Sequence, residues 1–408
     1  MKKLAAILLA LVLVLCSVSA LAFEPVDKKD LKVGFIYIGG AEDKGFTYAH
    51  HEGTKAMMAK LGLDESQVFW RENVSEDSAC ADAIDELIEQ GCQIIFGNSF
   101  GYQEYFKEAA EEHPEVIFSH CSGYMCNDTN FNNYWGAIYQ ARYLSGIVAG
   151  LKTKANLIGY VGSMNNPEVN GGLNAFALGV KSVNPDAKIY VKYTGTWYDV
   201  TLEKQTAEAL LDLGCDVLGQ HCDTSMPMVA AEERGAYGIG YNAVISEGEP
   251  GYKAWMTAPV WDWSAVLVSE VQSVIDGTWK PENVFFGLKE GLVSLAPLTD
   301  AAPAGAQELI DAATAKMVSG EWDVFTGPIT DNQGNVVIAE GETVHYNANF
   351  GSEMTWLLDN IEARQAFTQA SLSPPPRQPS PAGVFVVRAR AWEEDGTFLS
   401  QESTKEPV

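Results

Sequence analysis

The sequence predicts a two-lobed α/β protein built on doubly wound parallel sheets. Three observations lead there. Short strand-like runs alternate with helical runs from Lys32 onward. The strand-like runs are rich in Val, Ile, Phe and Tyr and mostly lack two-residue alternation, as strands buried on both faces do. The rhythm also breaks once and restarts, which divides one long series into two sheets.

The strands are expected at Lys32–Ile38, Val68–Arg71, Gln93–Gly97, Val116–His120, Leu157–Val161, Lys188–Tyr193, Val217–Gln220 and Tyr237–Tyr241. Helices fill the intervals. Ser78–Gln90 places Ala79, Ala83, Ile84, Leu87 and Ile88 on one face, with Gly91 as its stop. Tyr139–Leu151 and Leu202–Leu213 follow the same logic. The polar stretch Asn127–Asn133 reads as the interruption between the two series. Met256–Val260 and Gly277–Asn283 are extended runs where the chain can cross between sheets, so three crossings would form a hinge. The resulting division is residues 31–135 plus 257–279 for the first lobe, and 136–256 plus 280–362 for the second.

The two ends differ in kind. Lys2, Lys3, the apolar run Leu4–Leu15 and Ala20-Leu21-Ala22 make residues 1–22 a secretory signal. A membrane anchor and a lipoprotein signal at Cys16 are the competing readings. The run is short for a spanning helix, and Leu15 is bulky for the lipoprotein site. Residues 363–408, with Ser373-Pro374-Pro375-Pro376, are expected to be a disordered Pro-rich tail.

Charge excludes one class of partner. Lys and Arg total 27 against 54 Asp and Glu, a formal net charge of −27. Such a surface repels phosphate backbones, so no nucleic acid partner is expected. Beyond the leader lie Cys80, Cys92, Cys121, Cys126, Cys215 and Cys222. Cys121 and Cys126 share a loop and are the best candidates for a disulfide in an exported protein, though the spacing does not demand one. His120 with Cys121 and Cys126 makes only a poor zinc set, so no metal and no cofactor are expected. His50-His51 point in different directions on a helix and read as surface and core.

In open parallel sheets ligands bind beyond the carboxyl ends of the strands. Those loops carry Phe46, Ser99, Phe100, Glu168, Trp197, Asp223 and Asn242, and the crossover adds Trp261. Aromatic faces with polar groups around the edge suit a flat, heteroatom-rich ring. An enzymatic alternative exists. Gly97-Asn98-Ser99-Phe100-Gly101 matches the GxSxG elbow of serine hydrolases, with His120, His221 and His345 as possible bases. No Walker motif is present, and no GxGxxG opens the first helix.

Several of these segments together resemble the basic membrane protein family of ABC-transporter solute receptors, which includes purine nucleoside receptors. They are Asp43-Lys44-Gly45-Phe46, Ser99-Phe100-Gly101-Tyr102, Tyr139-Gln140-Ala141-Arg142-Tyr143-Leu144-Ser145-Gly146, Ile158–Gly162, Asn174–Gly179, Gly219-Gln220-His221-Cys222-Asp223 and Asp276-Gly277-Thr278-Trp279. The resemblance runs from about Leu31 to Asn360. It implies a type I periplasmic-binding fold with a three-segment hinge, no enzymatic activity, and a monomer outside the cytoplasmic membrane that delivers its ligand to an ABC permease. It also implies that Phe46 and Trp197 sandwich a base and that Lys289 supplies a basic group. The family's ribose-binding acid corresponds to Asn242, an amide. That departure favours a free purine base such as adenine over a nucleoside, and a different small molecule is the runner-up.

Overall fold

The computed structural model describes residues 23–345 and 353–363. The predicted leader and all of the predicted tail beyond residue 363 lie outside them. Two six-stranded sheets form the framework. The first contains β1 (Val33–Ile36), β2 (Val68–Arg71), β3 (Ile94–Gly97), β4 (Ile117–Cys121), β5 (Phe131–Gly136) and β12 (Val284–Phe286), in the order β12-β5-β4-β3-β1-β2. The second contains β6 (Leu157–Gly162), β7 (Lys188–Tyr193), β8 (Val217–His221), β9 (Tyr237–Ile239), β10 (Trp255–Thr257) and β16 (Ile361–Ala363), in the order β10-β9-β8-β6-β7-β16. All pairings within both sheets are parallel. The all-buried patterns of β1, β3, β4 and β8 explain their missing alternation.

Caps visible in the sequence fix several helix starts. Asp77 accepts from Ala79 N–H ahead of Ser78–Glu89, and Asn166 accepts from Val169 N–H ahead of Pro167–Val183. The helices Ile138–Lys152 and Pro167–Val183 touch backbone to backbone. A Cβ at Gly146 would lie 2.1 Å from Phe176 O, and one at Gly179 would lie 2.0 Å from Tyr143 O. These two glycines set the helix spacing beneath the second sheet.

Phe131–Gly136 is a strand of the first sheet, where the sequence suggested an interruption. Its asparagines are buried but bonded. Asn130 Nδ2 donates to the carbonyls of Ala110, His113 and Val116. Asn132 Nδ2 donates to Glu270, and Asn133 Nδ2 meets His120 Nδ1 at 3.2 Å. Polar side chains that satisfy neighbouring chain ends can occupy a buried strand without an apolar signal.

The chain moves between the sheets after β5, after β10, and after β12. The return was expected at residue 280, but Val284–Phe286 first pairs with β5 in the opening sheet. The second and third crossings pair antiparallel as β11 (Pro259–Trp261) and β13 (Val293–Leu295). Near the end, β14 (Ile329–Thr330) and β15 (Val336–Ile338) form a separate antiparallel pair, and Ile361–Ala363 pairs with β7, so the second sheet includes residue 363.

The suggested Cys121–Cys126 disulfide is absent: both are free thiols, as are Cys80, Cys92, Cys215 and Cys222. Cys121 is buried at the end of β4 facing Tyr134, whereas Cys126 is exposed. Cys222, unexplained by the sequence, is buried in the core with Leu210 and Met228. His50 stacks on Trp263 at 4.0 Å, and its burial lowers its pKa to about 3. His51 is buried too, edge-on to Tyr37 and Trp70, so neither histidine is a surface residue.

Candidate cleft between the two sheets

The loop after β1 reaches the second sheet's rim at Gly45. Asp43 Oδ1 accepts from Gly45 N–H at 2.7 Å and Tyr48 N–H at 3.0 Å, which holds this loop at the start of the helix Phe46–Leu61. Gly45 then packs on Asp223, beyond β8. A Cβ on Gly45 would lie 2.5 Å from Asp223 Cβ and 2.7 Å from its carbonyl oxygen. Only glycine permits this approach.

From Asp223 a chain of hydrogen bonds runs to the crossover strand Pro259–Trp261. Asn242 Nδ2 donates to Asp223 Oδ1 at 2.7 Å, and Trp261 Nε1 donates to Asn242 Oδ1 at 3.2 Å. Asn242 adopts a left-handed φ of 64°, a conformation asparagine tolerates better than most residues. Trp261 stacks on Trp263 at 4.5 Å, and the Phe46 ring lies 6.5 Å from Trp261 and 6.0 Å from Trp135. Phe46, Asp223, Asn242 and Trp261 therefore form one connected group drawn from both sheets and the crossover.

Trp197 joins through the backbone. Its carbonyl accepts from Asp223 N–H at 3.0 Å, and its exposed ring lies 6.2 Å from His221. Glu168, in the first turn of its helix, pairs with His221 Nε2 at 3.2 Å. Burial would raise the Glu168 pKa, but His221 and Arg142 outweigh it and hold the carboxyl below its ordinary value. Glu168 also lines a small recess with Trp135 and Gly172.

Asp223 has the opposite balance. Burial, with the nearby Asp43 and Glu203 carboxylates adding to it, pushes its pKa well above normal despite a bond from Phe46 N–H. Among the described residues no Lys or Arg forms an ion pair with it.

Other predicted residues lie apart. Ser99 donates to Glu76 at 2.6 Å, and Phe100 is exposed 6.3 Å from Tyr124. Lys289 is exposed in a turn, with no hydrogen bond or ion pair among the described residues. The hydrolase alternative fails on geometry. The Ser99 backbone is extended, with φ −134° and ψ 144°, and His120 Nε2 meets the Ser99 carbonyl oxygen at 2.6 Å rather than the hydroxyl.

Three supporting residues escaped the sequence reading. Glu203 is fully buried and accepts from Asp199 N–H, Thr224 N–H and the Thr224 hydroxyl, tying the Trp197 loop to the Asp223 loop. Glu203 stands four residues after the helix cap Asp199, one beyond the capping-box position, so its spacing did not mark it. Arg142 is buried, lies 3.7 Å from the Tyr241 ring centroid and donates to Gln220 O. Trp135, in the unrecognised strand β5, walls the recess beside Glu168.

Two parallel-sheet lobes, three crossings and an aromatic, acid-lined cleft between strand ends define a non-enzymatic solute receptor of the type I periplasmic-binding kind. The chain belongs to the Bmp family, the PnrA-like ABC transporter substrate-binding proteins, which it matches over residues 30–324. Proteins of this family act outside the cytoplasm. Among the described residues no helix is long and apolar enough to cross a membrane.

The chain is 36% identical to a purine-binding protein of Brucella abortus over 315 residues, covering 77% of this chain and 89% of that one. It is 32% identical to a putative ABC transporter glucose-binding protein of Haloferax volcanii, covering 76% of this chain and 78% of that one. A solved ABC transporter solute-binding protein from Conexibacter woesei shares the fold, with a TM-score of 0.63 at 24% identity over 72% of this chain and 98% of that one.

Proposed function

We propose that the protein closes over a purine, with a free base such as adenine preferred to its nucleoside, and delivers it to an ABC importer. Phe46 and Trp197 would cover the ring faces, while Glu168, Asp223, Asn242 and Trp261 surround its edge. Closure would bring lobes of about residues 31–135 with 257–286 and 136–256 with 287–363 together, as a monomer exported to the periplasm or the outer face of the membrane.

The observation that carries this reading is the bonded group Asp223–Asn242–Trp261 beside Phe46. It sets a carboxyl acceptor at the edge of an aromatic slot, which suits a ring N–H. Both ends of the Asn242 amide are already occupied, so this residue offers a ribose diol little. The 36% identity to a purine-binding protein supports a purine as the ligand class. Glucose is the second reading, because a relative of 32% identity is described as glucose-binding.

Calorimetry with adenine, adenosine and glucose tests the proposal. Adenine is expected to bind tightest. Adenosine tighter by tenfold would make the protein a nucleoside receptor, and glucose binding without purine binding would overturn the purine assignment.

A further inference from the structure

The recess beside Glu168 is walled by Trp135, Gly136, Ile138, Tyr139 and Gly172. Its free volume is about 10 Å³, room for one water-sized group. Trp135 is shared with the aromatic slot: its ring lies 6.0 Å from Phe46 and 5.3 Å from Trp261. Glu168 is the only charged side chain in the lining, and the Tyr139 hydroxyl is committed to Asp323 at 3.1 Å.

Glu168 is set up as an acceptor. It stands in the first turn of its helix, where the positive end of the helix dipole favours an anion. Burial, with Arg142 adding to it, lowers the His221 pKa despite the Glu168 charge, so the imidazole is neutral. Its Nδ1 is buried without a hydrogen-bond partner, so the ring proton belongs on Nε2, 3.2 Å from Glu168 Oε1. The other Glu168 oxygen has no hydrogen-bond partner among the described residues, and 32% of the side chain remains exposed.

An ionised carboxylate accepts hydrogen bonds and donates none. A water-sized space against it suits an amino group. It rejects a carbonyl oxygen, which would set two acceptors face to face.

We propose, resting on the purine reading of the cleft, that this recess takes the exocyclic amino group of the ligand, so that Glu168 selects amino-purines over oxo-purines. His221 is a positioning residue, which holds one oxygen of Glu168 and leaves the other for the ligand. Asp223 takes a ring N–H, and Glu168 takes the amine.

Calorimetry on the full protein compares adenine with two analogues. Hypoxanthine carries oxygen in place of the amino group. N6,N6-dimethyladenine lacks both amine donors and overfills the recess. Adenine is expected to bind at least about 30-fold tighter than either, the range of a hydrogen bond to a charged group. In Glu168→Gln the amide can donate to the oxo group. Its adenine-to-hypoxanthine ratio should fall about tenfold or more, with hypoxanthine binding tighter than it does to the unsubstituted protein. A purely structural role for Glu168 would weaken both ligands equally. The three-ligand comparison needs no variant, so misfolding of Glu168→Gln leaves it decisive. Either analogue within about threefold of adenine, or an unchanged ratio in folded Glu168→Gln, would overturn the recess assignment and leave a purine receptor standing. Binding of none of the three would overturn the purine reading itself, and the recess assignment with it.

Discussion

Gly45→Ala should separate closure from folding. Gly45 has φ −111° and ψ −141°, outside the left-handed region, so alanine adds no left-handed strain there. The three atoms nearest the added methyl all belong to Asp223, on the opposite rim. Its carbon would sit 2.5 Å from Asp223 Cβ and 2.7 Å from Asp223 O, whereas carbon contacts are relaxed at about 3.5–4.0 Å. The rims must therefore part by roughly 1 Å, or the loop must deform. Overpacking of this kind costs about 1–3 kcal/mol, and the cost falls on the closed state alone. Adenine affinity should drop about 5- to 150-fold. Thermal stability of the unliganded protein should hold or rise slightly, because alanine restricts the unfolded chain. Gly40→Ala is the control, since its nearest neighbours lie 3.8 Å away. Calorimetry and thermal melts on both variants decide the matter. Unchanged adenine affinity in Gly45→Ala would refute the claim that the ligand-bound state uses this contact.

Three further outcomes are expected. Trp197→Ala should weaken adenine by about 2–3 kcal/mol, roughly 30- to 150-fold, by calorimetry, as truncated aromatic anchors do; a loss under threefold would remove Trp197 from the site. Glu270 is buried beside Asn132 and Trp279, and burial raises its pKa from 4.5 to about 7. The folded state thus holds a proton that the unfolded state releases, so stability falls as pH rises from 4.5 through 7, by about 3 kcal/mol. Urea unfolding of Glu270→Gln should lack this fall, and parallel pH profiles would count against it. Ser99→Ala should cost about 1 kcal/mol or less through the lost Glu76 bond and leave any trace esterase activity unchanged. Turnover that vanishes with the hydroxyl would revive the hydrolase reading.

The eight expected strands all appear within a few residues of their predicted bounds, because parallel strands buried on both faces write an apolar run into the sequence. β5 was missed because its signal is inverted. The Asn130 side chain satisfies chain ends, that of Asn132 bonds Glu270 and that of Asn133 meets His120, and polarity chosen for such purposes looks like a loop. Strands β12 and β16 were missed for another reason. Each has three residues at a sheet edge and depends on a partner distant in sequence, β5 and β7 respectively.

The candidate site was legible by topology and opaque in its bonding. Strand-end position was enough to select Phe46, Asp223, Asn242 and Trp261, which the fold does bring together. It could not separate these from Ser99 and Phe100, which occupy an equivalent strand end but face Glu76 and Tyr124. Nor could it show that Asn242 is a bridge. In sequence, Asn242 reads as an acid lost. In the fold, a carboxyl remains 2.7 Å away on Asp223, and Asn242 holds it in place.

That substitution changes what closure requires. Asp223 sits near Asp43 and Glu203, and all three have pKa values raised first by burial. Glu203 is relieved by three donors, and Asp43 by the backbone of its own loop. Asp223 has the Asn242 amide and the Phe46 N–H, with no cation paired to it among the described residues. Bringing the rims together without a ligand therefore buries a carboxyl that is poorly compensated, a cost of the order of 1–3 kcal/mol for an under-bonded polar group. On the purine reading, a ring N–H supplies the missing donor at the moment the rims meet. The same contact that recognises the ligand then lowers the cost of closing, so the empty receptor favours the open state and the filled one the closed state.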